Sequence, residues 1–196
     1  MKPLPKNLRH VDVSYNHLTE VPDWLHGCHQ LRSLYANNNN IMTLPDNLFQ
    51  SENGSMHTIQ LSCNQLKKLP AMPKRLLPLQ ELDLHCNFID DLPENFFTAC
   101  ENLILLNVSN NKLLTLPIID SNKIQLERLY ATNNHLTDRV LDTLVGLSSL
   151  RILHLAYNRL TTFPENCISN WKDLEEIVLS GNKLQHLPDN LANLKQ

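Results

Sequence analysis

One eleven-residue phrase dominates this chain: apolar-x-x-apolar-x-apolar-x-x-Asn-x-apolar. It returns eight times in the 196 residues, starting at Leu8, Leu31, Met56, Leu79, Leu103, Leu126, Leu150 and Leu174. The spacing between starts is always 23 to 25 residues. A unit this short cannot bury its own apolar face. Units of this kind are stable only when stacked on one another, which makes a quasi-one-dimensional array with one shared core.

The phrase also dictates local geometry. In Leu79-Gln80-Glu81-Leu82-Asp83-Leu84-His85-Cys86-Asn87-Phe88-Ile89, Leu82 and Leu84 are two apart and share one side of a strand, while Glu81, Asp83 and His85 take the other. The asparagine column, Asn16, Asn39, Asn64, Asn87, Asn111, Asn134, Asn158 and Asn182, falls where the chain leaves the strand. An amide side chain carries both donors and acceptors, so a buried one can bridge adjacent turns. The column is read as structural. The expected fold is an α/β solenoid, a leucine-rich-repeat horseshoe with a parallel sheet on its concave face. Short 3₁₀ or α turns make the convex face, in one domain spanning 1–196.

The convex segments share a phrase of their own: Val21-Pro22-Asp23-Trp24, Leu44-Pro45-Asp46-Asn47-Leu48, Leu92-Pro93-Glu94-Asn95-Phe96, Phe163-Pro164-Glu165-Asn166 and Leu187-Pro188-Asp189-Asn190-Leu191. Proline followed by an acid suits the first turn of a short helix. Trp24, Phe49, Phe96 and Trp171 are expected to fill the core behind these turns. The sixth repeat lacks Leu-Pro. Its Val140, Leu141, Leu144 and Val145 follow helical spacing, with Thr137 or Asp138 able to cap the start and Gly146 the end. A true α-helix is expected there, with shorter turns elsewhere. Leu4-Pro5 reads as the tail of a preceding repeat, and Asp189–Gln196 as most of a convex segment, so both ends look cut.

The net charge of −3, from 17 basic and 20 acidic side chains, offers no basic face for nucleic acid. No apolar run approaches the ~20 residues that span a bilayer, and no apolar stretch follows Met1-Lys2-Pro3 as a signal peptide requires. Five cysteines, Cys28, Cys63, Cys86, Cys100 and Cys167, form no clustered end caps, which favours a reducing, cytoplasmic setting. Sequons at Asn53 and Asn107 point weakly the other way.

Catalytic motifs are missing from the sequence. It holds four glycines and no phosphate loop, nucleophile elbow or Cys-x-x-Cys pair. No catalytic residue, metal or cofactor is assigned to this segment. Cys63 and Cys86 occupy equivalent positions of adjacent repeats, ~5 Å apart by strand spacing, with His85 beside them. A soft metal or a disulfide is conceivable there, but the adopted reading is two small thiols in a half-buried column.

The outward strand positions make two columns. One reads His10, Ser33, Thr58, Glu81, Leu105, Arg128, Ile152, Glu176; the other reads Asp12, Tyr35, Gln60, Asp83, Asn107, Tyr130, His154, Val178. Exposed apolar residues Leu105, Tyr130, Ile152 and Val178 gather in the last four complete repeats, surrounded by Arg128, Arg151, His154 and Tyr157. Aromatic and aliphatic side chains rimmed by arginine have the composition of a protein-binding hot spot. The expected partner is a protein, with no nucleic acid and no membrane insertion.

The wording of Leu153-His154-Leu155-Ala156-Tyr157-Asn158-Arg159-Leu160, of Leu174-Glu175-Glu176-Ile177-Val178-Leu179-Ser180-Gly181-Asn182-Lys183-Leu184 and of Leu129-Tyr130-Ala131-Thr132-Asn133-Asn134-His135-Leu136-Thr137-Asp138 resembles the repeat region of the PH-domain leucine-rich-repeat protein phosphatases. That resemblance implies a parent with a PH domain before the repeats and a PP2C-type Ser/Thr phosphatase domain after them, dependent on Mn or Mg. Such a parent dephosphorylates AGC kinases such as Akt and protein kinase C, and works in the cytoplasm, at membranes or in the nucleus. No Asp-Gly or Gly-Asp pair of a PP2C metal site occurs here, so no catalytic residue carries over. Two alternatives stay open: a non-enzymatic scaffold of the Ras-pathway type, and an extracellular ligand-binding ectodomain.

Overall fold

The computed structural model describes residues 7–49, 55–119, 123–163 and 165–193. Leu4-Pro5 and the Asn53 sequon lie outside them. Eight three-residue strands form one parallel sheet in sequence order: β1 His10–Asp12, β2 Ser33–Tyr35, β3 Thr58–Gln60, β4 Glu81–Asp83, β5 Leu105–Asn107, β6 Arg128–Tyr130, β7 Ile152–His154 and β8 Glu176–Val178. Each strand is one out-in-out triplet of the repeated phrase. Registers join equivalent positions, as in Leu105↔Arg128↔Ile152↔Glu176 and Asn107↔Tyr130↔His154↔Val178. Both outward columns of the sequence are therefore real rows across the sheet.

The middle residues of the six inner strands, Leu34, Ile59, Leu82, Leu106, Leu129 and Leu153, are fully buried. In β1 and β8, Val11 and Ile177 are only partly buried, because among the described residues each coil there has a neighbour on one side.

The asparagines close the turns as the sequence implies. Asn111 Oδ1 accepts from Ile89 N at 2.9 Å, while its Nδ2 donates to Leu84 O at 3.0 Å and to its own coil's Val108 O at 3.0 Å. Asn39, Asn64, Asn87, Asn134 and Asn158 repeat this bridge to the preceding coil and are buried. Asn182 makes the same bridge half-buried. Asn16 is the exception. It is exposed, and among the described residues its Nδ2 donates to Val13 O and Ser14 O of its own coil.

Immediately before each asparagine the backbone turns left-handed, at Tyr15, Asn38, Cys63, Cys86, Asn110, Asn133, Tyr157 and Gly181, with φ between 54° and 73°. From Tyr15 to Tyr157 the N–H of this residue donates to the next coil, for example Cys63 N to His85 O at 2.8 Å and Asn110 N to Thr132 O at 2.8 Å. Asn and Gly adopt this region readily; other side chains do so at a cost.

Two convex expectations need correction. The sixth repeat does form a helix, α2 Val140–Leu144, but α1 Phe96–Ala99 and α3 Glu165–Asn170 are also α-helical. The Pro-acid phrase thus starts α-helices as well as the 3₁₀ turns Asp23–Gly27 and Asp189–Asn193. The Asp138 carboxylate does not cap α2; it accepts from Thr161 N at 2.8 Å and Thr162 N at 3.3 Å in the following coil. Gly146 packs close to the preceding coil: a Cβ there would lie 3.0 Å from Ile119 Cγ2.

Trp24 is not core filler: it is 44% exposed, whereas Phe49, Phe96 and Trp171 are buried. The convex phrase explains this. Leu25 takes the inward slot of Leu48 and Phe96, and Trp24 stands in the slot of Asn95, whose amide reaches back to Met72 O and Pro73 O.

Candidate functional site

Strands β5 to β8 bring six of the eight expected binding residues onto one surface. Leu105, Arg128 and Ile152 stand side by side in one row, and Tyr130, His154 and Val178 in the next. The edge of one ring meets the face of the other where Tyr130 contacts His154, with centroids 4.9 Å apart and planes at 89°. His154 Nε2 lies 2.8 Å from Glu176 Oε1. The imidazole is thereby held between an aromatic ring and a carboxylate.

The apolar members are half-buried rather than fully exposed. Strands ~4.8 Å apart leave each outward side chain flanked by its row neighbours, so only the tips of Leu105, Tyr130, Ile152 and Val178 meet solvent.

Arg151 and Tyr157 lie beside this surface. Arg151 precedes β7 and forms a ladder with Glu127 and Glu175 of the neighbouring coils. Its Nε donates to Glu175 Oε1 at 2.9 Å, its Nη2 donates to the same oxygen, and Glu127 Oε2 is 4.0 Å from Nη1. It is therefore a satisfied cation, not a free rim charge. Tyr157 occupies the left-handed turn position after β7, 63% exposed. Glu127 and Glu175 are not among the residues singled out from the sequence, and Glu176 stands there only as a member of the outward column. Their repeat offsets against Arg151 and His154 were the available signal.

A second cluster sits where β3 and β4 end. Cys63 Sγ, Cys86 Sγ and a ring nitrogen of His85 all lie within 4.8 Å of one another, and Cys63 Sγ is 4.0 Å from His85 Nε2. All three side chains are half-buried. Asp83 Oδ1 is 2.7 Å from His85 Nδ1 and accepts from His85 N at 3.0 Å. Burial pushes the Cys63 thiol up, and the neighbouring Cys86 and Asp83 add to it. Cys63 and Cys86 are free thiols. Cys100 is different: burial in the core pushes it up to about 12, which makes it chemically inert.

Comparison with known proteins agrees with this geometry. The Leucine rich repeat model matches residues 78–136, 124–184 and 148–196, and the Leucine Rich repeats (2 copies) model matches 6–49. A protein phosphatase PHLPP-like protein of Drosophila melanogaster is 38% identical over 99% of this chain and 20% of its own length. Lumican of Gallus gallus is 36% identical over 57% of this chain and 32% of the relative. The chain thus spans a third or less of these two relatives. Among solved structures, YopM from Yersinia enterocolitica WA-314 superposes with TM-score 0.68 at 28% identity, covering 96% of this chain and 37% of that one. The functional domain of InlJ from Listeria monocytogenes superposes with TM-score 0.74 at 23% identity, covering 92% and 36%.

Proposed function

The chain belongs to the leucine-rich-repeat family, and from that premise we propose that it is the recognition module of a signalling protein of the PP2C phosphatase type. The module holds a protein partner or substrate on the β5–β8 face, close to a catalytic domain elsewhere in the parent. The substrates of the parent are AGC kinases of the Akt and protein kinase C class, in the cytoplasm. The observation that carries this reading is the 38% identity to the Drosophila phosphatase-like protein, because it runs over 99% of the chain. Matches to lumican reach 57%.

The surface chemistry supports recognition. Tyr130, Ile152, Leu105 and Val178 supply apolar tips, and Arg128 and His154 supply polar handles on the same rows. Such clusters concentrate binding energy, with single truncations costing more than ~1 kcal/mol at the anchors. The test is pull-down of AGC kinases with the wild-type chain and with Tyr130→Ala/Ile152→Ala. The double variant keeps its fold by circular dichroism and loses at least about tenfold in capture. Equal capture by both proteins removes this face from consideration.

An extracellular ligand-binding ectodomain is the second reading, favoured by the likeness to lumican. A glycan on Asn53 or Asn107 of native material would support it over the phosphatase module.

A further inference from the structure

The geometry points to a zinc-class metal site on this chain, built from Cys63 Sγ, Cys86 Sγ and His85 Nε2, with Asp83 as the residue that positions the imidazole. Sequence alone gave no reason to prefer this over two packed thiols; the spacing of the three ligand atoms does. In a tetrahedral site with Zn–S near 2.3 Å, two sulfurs stand about 3.8 Å apart. Here all three donor atoms already lie within 4.8 Å of one another. Small side-chain rotations close that gap, with no movement of the coils.

The donor set selects the ion. Two thiols and an imidazole suit zinc and other soft or borderline ions, not calcium or magnesium, which take oxygen. Asp83 adds a feature that packed thiols do not need. Its carboxylate holds His85 Nδ1 at 2.7 Å, which leaves Nε2 turned towards Cys63. A carboxylate behind a histidine is the usual outer partner of a zinc ligand. Binding releases the thiol protons to solvent, and three protein ligands leave a fourth position for water or for a donor from a docked protein.

The backbone alone does not mark the site. Cys63 and Cys86 occupy the left-handed turn position at φ 54°, where Asn38, Asn110 and Asn133 meet the same requirement at lower cost. Tyr15 and Tyr157 stand there too, so the turn alone does not make a site. What sets this pair apart is two adjacent thiols beside an oriented histidine.

The experiment uses the reduced 196-residue chain. Zinc competition against a chromophoric chelator is expected to give one tight equivalent. The Co²⁺ form is expected to show intense visible bands and a sulfur-to-cobalt charge-transfer band in the near ultraviolet. Cys63→Asn/Cys86→Asn suits the turn and keeps the fold, and is expected to lose at least a hundredfold in affinity together with the charge-transfer band. Asp83→Asn is expected to keep the two-thiolate Co²⁺ spectrum while binding about ten- to a hundredfold more weakly. Undiminished zinc binding by the double variant would overturn the proposal, and so would a wild-type Co²⁺ spectrum without sulfur charge transfer.

Discussion

Tyr157 covers Gly181. A Cβ at position 181 would fall 2.5 Å from Tyr157 Cδ1 and 2.8 Å from Cε1, and Gly181 has φ +73°. The contact links two successive left-handed turns, and Tyr157 N donates to Ser180 O across it at 2.7 Å. Gly181→Ala therefore meets two obstacles, the left-handed backbone and the ring. The backbone component alone costs about 1–2 kcal/mol. Urea unfolding is expected to show at least that loss. Tyr157→Ala/Gly181→Ala removes the ring clash, so Gly181→Ala should cost less in the Tyr157→Ala background than in wild type. Equal costs in both backgrounds would show that the ring is not in the way.

The asparagine column predicts a graded series. Asn111→Ala leaves the buried Ile89 N–H unpaired, while Leu84 O and Val108 O each keep a second amide donor, from Asn87 and Asn134. A buried group left unpaired costs roughly 1–3 kcal/mol, and a loss in that range is expected. Asn16→Ala removes two exposed bonds within its own coil and is expected to cost under about 1 kcal/mol. Similar losses at the two positions, read from denaturant midpoints, would mean that the bridge between coils is not what the asparagine supplies.

The period made the sheet legible down to individual pairs: every strand triplet and every register follows from the repeated phrase. Less legible were features set between neighbouring coils. Asp138 was a plausible helix cap by position, but the following coil brings Thr161 and Thr162 within its reach. Trp24 looked like core because it is large and apolar. Its place in the phrase matches the half-buried Asn47 and Asn95, while the inward slot falls to Leu25. In the β5–β8 surface, residue types identified the apolar rows. The pairing of Arg151 with Glu175 is set between neighbouring coils, and the repeat offset of the two residues is its only trace in the sequence.

Asp138 gives a pH prediction. Burial raises its pKa, but the hydrogen bonds from Thr161 and Thr162 outweigh burial and leave it lowered. A carboxyl with a lowered folded-state pKa stabilises the fold above its unfolded value, near 3.9. That contribution is lost as pH falls through the folded value. Wild type is therefore expected to exceed Asp138→Ala in stability at neutral pH, with the difference shrinking as pH drops below about 4. A difference that stays constant from neutral to acid would exclude the charged carboxylate as its source.

The two tryptophans offer a final contrast. Trp171 is fully buried, and its indole Nε1 donates to Leu144 O at 3.1 Å, behind α2. Leu144 O also accepts from Leu147 N at 3.0 Å, so it keeps a partner when the indole is lost. Trp171→Phe is accordingly expected to cost only about 1–2 kcal/mol, one hydrogen bond and some packing. Trp171→Ala opens a cavity and should cost about 3–5 kcal/mol. Trp24 lies on the convex side with 44% of its surface exposed, so Trp24→Ala opens no enclosed cavity and is expected to cost under about 1.5 kcal/mol. Fluorescence separates the two directly: Trp24→Phe leaves blue-shifted emission that acrylamide quenches poorly, and Trp171→Phe leaves red-shifted emission that it quenches readily. The opposite assignment of the two spectra would place the convex phrase of the first repeat in the wrong register.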